Sequence, residues 1–201
     1  MARAESYGLR ATAAAPLKIR KDDLYETPSC ATEALLAAEK LPARIWEPAC
    51  GRGAIVSVLR AAGHEVIGSD LVDYGLPITA PGYWGVDFLL ERKLPAGTGA
   101  IVTNPPFKLA EEFALHGLSL CPRVILLLRL AFLEGTGRSK LLESGALARV
   151  HVFRNRLPRM HRDGHTGNRS TSSIAFAWFV FDNNHNGPTT LHRLSWRKPN
   201  G

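Results

Sequence analysis

Apolar residues follow two alternating rhythms along this chain. In TPSCATEALLAAEKL (27–41) they fall at Ala31, Ala34, Leu35 and Ala38, the spacing of one helix face, with Thr27 as a cap and Pro28 at the first helical position. ARIWEPACGRGAIVSVLRAAG (43–63) predicts a short strand, a glycine-bearing turn and a helix ending at Gly63. HEVIGSDLVD (64–73) is a second strand that ends in acids, and ITAPGYWGVDFLLE (78–91) is irregular and rich in turn formers. GAIVTNPPF (99–107) opens with a third buried strand, KLAEEFALHGLSL (108–120) predicts a helix, and RVILLLRLAFLEG (123–135) a near-continuous apolar strand. GRSKLLESGAL (137–147) predicts one more helix. ARVHVFRNRL (148–157) and SSIAFAWFVFD (172–182) alternate enough to form an antiparallel pair.

Strands alternating with helices predict an α/β fold with a mostly parallel sheet, helices on both faces, and a C-terminal antiparallel hairpin closing one edge. The 201 residues contain no repeat and no linker rich enough to divide them. The expected organisation is a single domain over 22–201 behind a flexible basic arm at 1–21.

Composition narrows the class. Hydrophobic content of 45% with 21% charge is ordinary for a globular protein, and no apolar run approaches the ~20 residues of a membrane helix. The arm lacks the apolar centre of a secretory signal, and a frayed arm is preferred to a transit peptide. Cys30, Cys50 and Cys121 are odd in number and widely spaced, which predicts reduced thiols in a cytoplasmic protein. No metal site is expected: the one close histidine pair, His161 and His165, flanks Asp163-Gly164, a loop signal.

Charge is segregated. Residues 1–21 hold 5 basic and 1 acidic side chains, 22–121 hold 7 and 13, and 122–201 hold 13 and 4, for a total of +7. An acidic body with basic ends suggests a polyanion touched by one face.

Two segments carry candidate chemistry. Glu47-Pro48-Ala49-Cys50-Gly51-Arg52-Gly53 lies between a strand and a helix, where open α/β sheets bind ligands. Gly51 and Gly53 allow a tight turn and bare backbone against a ligand. Val56 stands where the dinucleotide glycine pattern needs its third glycine, and a phosphate-cradling lysine is missing. Asp70 ends the next strand at the distance of a ribose-binding acid. Asp87 could accept from an adenine amino group while Phe88 packs on the ring. The set predicts an adenosine-containing ligand.

The second segment is Asn104-Pro105-Pro106-Phe107-Lys108, where a buried strand stops at an amide, two prolines and a ring. The Asn104 carboxamide oxygen and the Pro105 carbonyl could accept the two protons of one –NH2 group. Such a group on adenine or cytosine is a poor nucleophile because its lone pair is delocalised into the ring. Gripping both protons favours a pyramidal nitrogen, which is positioning and electrostatics and not proton abstraction. Phe107 would stack on the base once it leaves its duplex partner.

These residues resemble the class I S-adenosylmethionine-dependent methyltransferases that modify exocyclic or amide nitrogens, whose signature is Asn/Asp-Pro-Pro-Tyr/Phe. The resemblance runs from Tyr25 onward and implies a Rossmann-like, mostly parallel seven-stranded sheet. It assigns Asn104, Pro105, Pro106 and Phe107 to catalysis. It assigns Tyr25, Thr27, Pro28, Glu47, Pro48, Ala49, Gly51, Gly53, Asp70, Leu71, Asp87, Phe88 and Asn104 to S-adenosyl-L-methionine. Phe132-Leu133-Glu134-Gly135 with Arg138, Arg156-Leu157-Pro158 and Ala177-Trp178-Phe179-Val180 look like small phage and prophage-type DNA adenine-N6 methyltransferases.

Relatives that recognise a sequence usually carry a separate target-recognition domain, for which this chain has no room. The substitute is the basic stretch 154–170, with Arg154, Arg156, Arg159, Arg162 and Arg169, joined by Lys108 and Arg138. A short loop implies low sequence specificity, or specificity from homodimerisation or a partner. DNA is the expected substrate. RNA adenine and, less well matched to the basic C-terminal half, a protein glutamine are the alternatives.

Overall fold

The structure is a computed structural model that describes residues 24–74, 82–160 and 171–197. The basic arm, the His161/His165 pair, Arg162 and Arg169 lie outside the described residues. Helix α1 covers Ser29–Ala38, strand β1 Arg44–Glu47, α2 Ala54–Ala61, β2 Glu65–Asp70 and β3 Gly82–Trp84. Then come β4 Ala100–Thr103, α3 Ala110–Leu120, β5 Arg123–Arg129 and the one-turn α4 Ser139–Leu142. The chain closes with β6 Leu147–Phe153, β7 Phe176–Asp182 and β8 Thr190–Leu194.

All eight strands form one sheet in the order β3-β2-β1-β4-β5-β7-β6-β8. Every pairing from β3 to β5 is parallel, β7 runs antiparallel to both β5 and β6, and β8 is parallel to β6. The antiparallel pair expected at the C-terminus therefore exists, but it does not close the edge. β7 inserts between β5 and β6, and β8, an eighth strand, takes the outside. Four of the five β8 residues are exposed, so it carries no apolar rhythm that sequence could reveal. β3 was hidden for a related reason: three residues in a turn-rich stretch leave no period to read.

Strict alternation divides the sheet between two cores. Ile45, Val102, Ile125, Leu127, Trp178 and Val180 face α1 and α2. Trp46, Ile101, Val124, Leu126, Phe179 and Phe181 face α3 and α4. Both faces are covered, as a parallel sheet requires. Trp178 is fully buried, and its indole N–H donates to the Ala31 carbonyl at 2.9 Å, which fixes α1 against β7. Helix α1 begins at Ser29 with Pro28 as its N-cap, one residue later than the Thr27 cap predicted.

At the foot of β5 and β6, the near-fully buried Glu39 accepts from Arg149 Nε (2.5 Å), His151 Nε2 (2.7 Å) and the Arg123 guanidinium. Burial alone would raise its pKa, but these donors overcome burial and lower it to about 2. This ion cluster sits away from the carboxyl ends of β1, β2 and β4, where the strand order reverses and the cavity opens.

Candidate functional site

The cavity has a volume of about 830 Å3 including its open mouth. The ends of three neighbouring strands build its floor: Glu47 from β1, Asp70 from β2 and Asn104 after β4.

The loop after β1 folds back on itself. Gly53 N–H donates to the Cys50 carbonyl (2.7 Å), and Cys50 N–H to the Ser69 carbonyl (3.0 Å). Gly51 and Gly53 hold φ of 52° and 76°, the left-handed region that glycine enters without strain. Gly51 N–H donates to Asp70 Oδ2 at 2.8 Å, and Val72 N–H to Asp70 Oδ1 at 3.0 Å. Asp70 thus ties β2 to the glycine loop and keeps further lone pairs for a ligand. Burial raises its pKa, against the lowering effect of the backbone donors. Asp87 accepts from Leu89 N–H at 3.1 Å and caps a short 3-10 turn.

Glu47 is 2% exposed, and its Oε2 has no hydrogen-bond partner among the described residues. Burial pushes its pKa well above 4.5, Asp70 adds to the rise, and a backbone bond from Val56 and the charge of Arg60 oppose it. Among the described residues no ion pair holds this carboxyl, and Arg60 acts on it only through its charge.

Apolar groups form one end of the cavity. Phe88 is 2% exposed and packs on Trp46 (5.3 Å between ring centroids) and Phe113 (4.8 Å). With Leu71, Val86 and Leu109 these rings leave a slot whose polar edge is Asp87. Leu109 and Phe113 were missed from sequence. Leu109 is the N-cap of α3 and Phe113 lies in its first turn, four residues on, and that spacing is a signal that could have found them.

The strap Leu24–Pro28 closes the other side. Asn104 Nδ2 donates to the Tyr25 carbonyl (3.3 Å) and to Thr27 Oγ1 (3.1 Å), and lies 3.9 Å from Met160 Sδ. A carbonyl can only accept, so the contact with Tyr25 fixes which end of the amide faces the strap. Asn104 Oδ1 is buried without a partner among the described residues. The Pro106 carbonyl is occupied by Leu109 N–H at 2.9 Å, whereas no hydrogen bond reaches the Pro105 carbonyl among the described residues. Glu26 pairs with Arg52 at 3.6 Å, and Leu24 covers Gly51.

Most residues assigned from sequence meet at this cavity, among them Tyr25, Thr27, Glu47, Gly51, Asp70, Asp87, Phe88, Asn104 and Pro106. Pro28, Gly53, Pro105 and Phe107 are not among the lining residues. Phe107 packs instead on Tyr25 (5.4 Å) and Phe176 (5.8 Å).

The basic candidates fall into two groups. Arg154, Arg156 and Arg159 are exposed, while the intervening Leu157 and Met160 are buried, so the described part of the basic stretch is anchored. Its backbone is held by Arg154 N–H to Leu194 (2.7 Å) and by Ser172 N–H to Leu157 (2.9 Å). Through Met160 it reaches Asn104. Lys108 is exposed beside the prolines, and Arg138 donates to the Glu134 carbonyl (2.8 Å) and lies over the Phe132 ring. Among the described residues no helix is long and apolar enough to cross a membrane, and no His/Cys/Asp/Glu cluster could hold a metal ion.

No protein-family model and no curated protein sequence matches the chain. Solved structures do. A candidate RNA methyltransferase from Pyrococcus horikoshii superposes with a TM-score of 0.58 at 14% identity, over 81% of this chain and 89% of its own. A modification subunit of a candidate type I restriction enzyme from Vibrio vulnificus YJ016 gives 0.60 at 14%, over 89% of this chain and 48% of its own. A complex from E. cuniculi responsible for methylation of a translation termination factor gives 0.57 at 16%, over 81% and 99%. At such identities the likeness is one of fold: the chain has the Rossmann-like fold of these methyltransferases.

Proposed function

We propose that this chain is an S-adenosyl-L-methionine-dependent methyltransferase that modifies the exocyclic N6 of adenine in DNA. The observation that carries the reading is the Asn104 carboxamide of the cavity lining, whose nitrogen is tied to the strap and whose buried oxygen has no partner among the described residues.

The residues present suit the cofactor. Glu47 is a buried carboxyl with no ion-pair partner among the described residues, and an ammonium or sulfonium group supplies one. The slot between Phe88 and Leu71 accepts a flat ring, with Asp87 at its edge for an amino group, and Asp70 has oxygen lone pairs left for a ribose diol. When bound, the cofactor provides an electrophilic methyl on sulfur.

The protein's part is to prepare the nucleophile. Asn104 Oδ1 and the Pro105 carbonyl each accept one proton of the adenine amino group, which draws the nitrogen lone pair out of the ring. The double proline fixes φ at two successive positions, which holds the Pro105 carbonyl in place beside Asn104. Asn104 is a weak base, and the surplus amino proton leaves to water after transfer. Entry of the base requires its extrusion from the duplex toward Phe107. The exposed Arg154, Arg156 and Arg159 support DNA through phosphate contacts.

Incubation with tritiated S-adenosylmethionine and, separately, duplex DNA, single-stranded DNA and RNA tests the reading. Label is expected in DNA adenine. Label in RNA alone would move the substrate, and label in neither would remove the nucleic-acid reading.

A further inference from the structure

The Phe107 ring is not bare. The guanidinium carbon of Arg129 lies 4.5 Å from its ring centroid, while Tyr25 and Phe176 flank the ring at tilts of 34° and 40°. A base can stack on Phe107 only if one of these neighbours yields. Tyr25 is held through its carbonyl by Asn104, and Phe176 is 6% exposed within β7. Arg129 is the last residue of β5, is exposed, and pairs with no carboxylate among the described residues. Its side chain is long and unbranched, and its cation–π contact is weaker than the stacking of a nucleobase on an aromatic ring.

We propose that Arg129 and Phe107 are the two walls of a slot that sandwiches the extruded adenine, with the guanidinium plane covering the base face that Phe107 does not. The inference rests on the adenine-methylation reading above and adds a substrate-binding residue to it. Without DNA, the guanidinium occupies the position of the base and keeps the ring covered. With DNA, it moves outward by one ring thickness and stacks on the base, as guanidinium planes do on unpaired bases. A lysine would keep the charge and lose the plane, and a glutamine would keep a plane and lose the charge.

The test compares the wild type with Arg129→Ala, Arg129→Lys and Arg129→Gln. The probe is genomic DNA free of N6-methyladenine, native and heat-denatured, with tritiated S-adenosylmethionine. All three variants are expected to bind S-adenosylmethionine as the wild type does, which shows that the fold is intact. Arg129→Ala is expected to raise KM for DNA about tenfold, Arg129→Lys to leave that loss largely unrepaired, and Arg129→Gln to recover more of it. A wild-type KM in Arg129→Ala would overturn the sandwich. Full rescue by lysine would also overturn it, because charge alone would then suffice. If the wild type labels no DNA at all, the adenine reading falls and the sandwich falls with it. If the wild type labels DNA and Arg129→Ala does so equally well, only the sandwich is lost.

Discussion

Asn104 and Thr27 stand 77 residues apart in sequence, yet the Asn104 amide nitrogen donates to the Thr27 hydroxyl at 3.1 Å. The bond joins the strap in front of α1 to the end of β4, and the amide oxygen stays buried with no partner among the described residues. Thr27→Val keeps the shape and removes the acceptor. In the methyltransferase account kcat falls between about 10- and 100-fold, because a misplaced group near the reacting atoms is costly. Calorimetry is expected to show a smaller loss in S-adenosylmethionine affinity than in kcat, since Thr27 also lines the cavity.

Glu47 opposes folding as the apoprotein and serves binding. Its pKa is raised in the folded chain, so its favourable contribution is complete below about pH 4.5 and is lost as pH rises through the elevated value. Glu47→Gln is therefore expected to leave thermal stability at neutral pH equal or higher, while weakening S-adenosylmethionine binding about tenfold. Melting curves and titration calorimetry of one preparation check both halves. A variant that melts lower and binds equally well contradicts this role.

Glu39 behaves in the opposite sense. Its folded pKa is lowered to about 2, so the stability it contributes is present above pH 4.5 and drains away as pH falls toward 2. Removing one member of a buried ion cluster costs about 3–5 kcal/mol, and Glu39→Gln is expected to lose about that much in urea unfolding at pH 7. Its stability is also expected to vary less between pH 5 and 3 than that of the wild type.

The fold was legible where packing dictates sequence. Ile101-Val102 and Val124 to Leu128 are buried on both sides, and only an apolar run can fill such a strand. The glycines of the loop after β1 and the double proline were legible because their backbone shapes admit few other residues. β8 was not, since an exposed edge strand such as Thr190–Leu194 needs no hydrophobic rhythm. Nor were Leu24 and Met160, whose contacts with Gly51 and Asn104 depend on how distant segments meet and not on any local pattern.

Gly51→Ala probes the strap directly. A Cβ at position 51 would stand 2.6 Å from Leu24 Cδ1, on a backbone with φ of 52°. The left-handed conformation alone costs a residue with a side chain about 1–2 kcal/mol. The variant is expected to melt lower and to bind S-adenosylmethionine more weakly, because both the loop and its cover shift.

Replacing Arg154, Arg156 and Arg159 together with alanine is expected to weaken DNA binding at low salt. It should also flatten the dependence of log affinity on log salt by about one unit per arginine that contacts phosphate. An unchanged slope would return this stretch to ordinary surface.

The central claim is that the Asn104 oxygen prepares an adenine amino group for methylation, and nucleoside mass spectrometry of DNA incubated with the protein and S-adenosylmethionine tests it most directly. The account predicts N6-methyladenine with the wild type and none with Asn104→Ala, which still binds the cofactor. N6-methyladenine at equal levels with both proteins, or with neither, would contradict it.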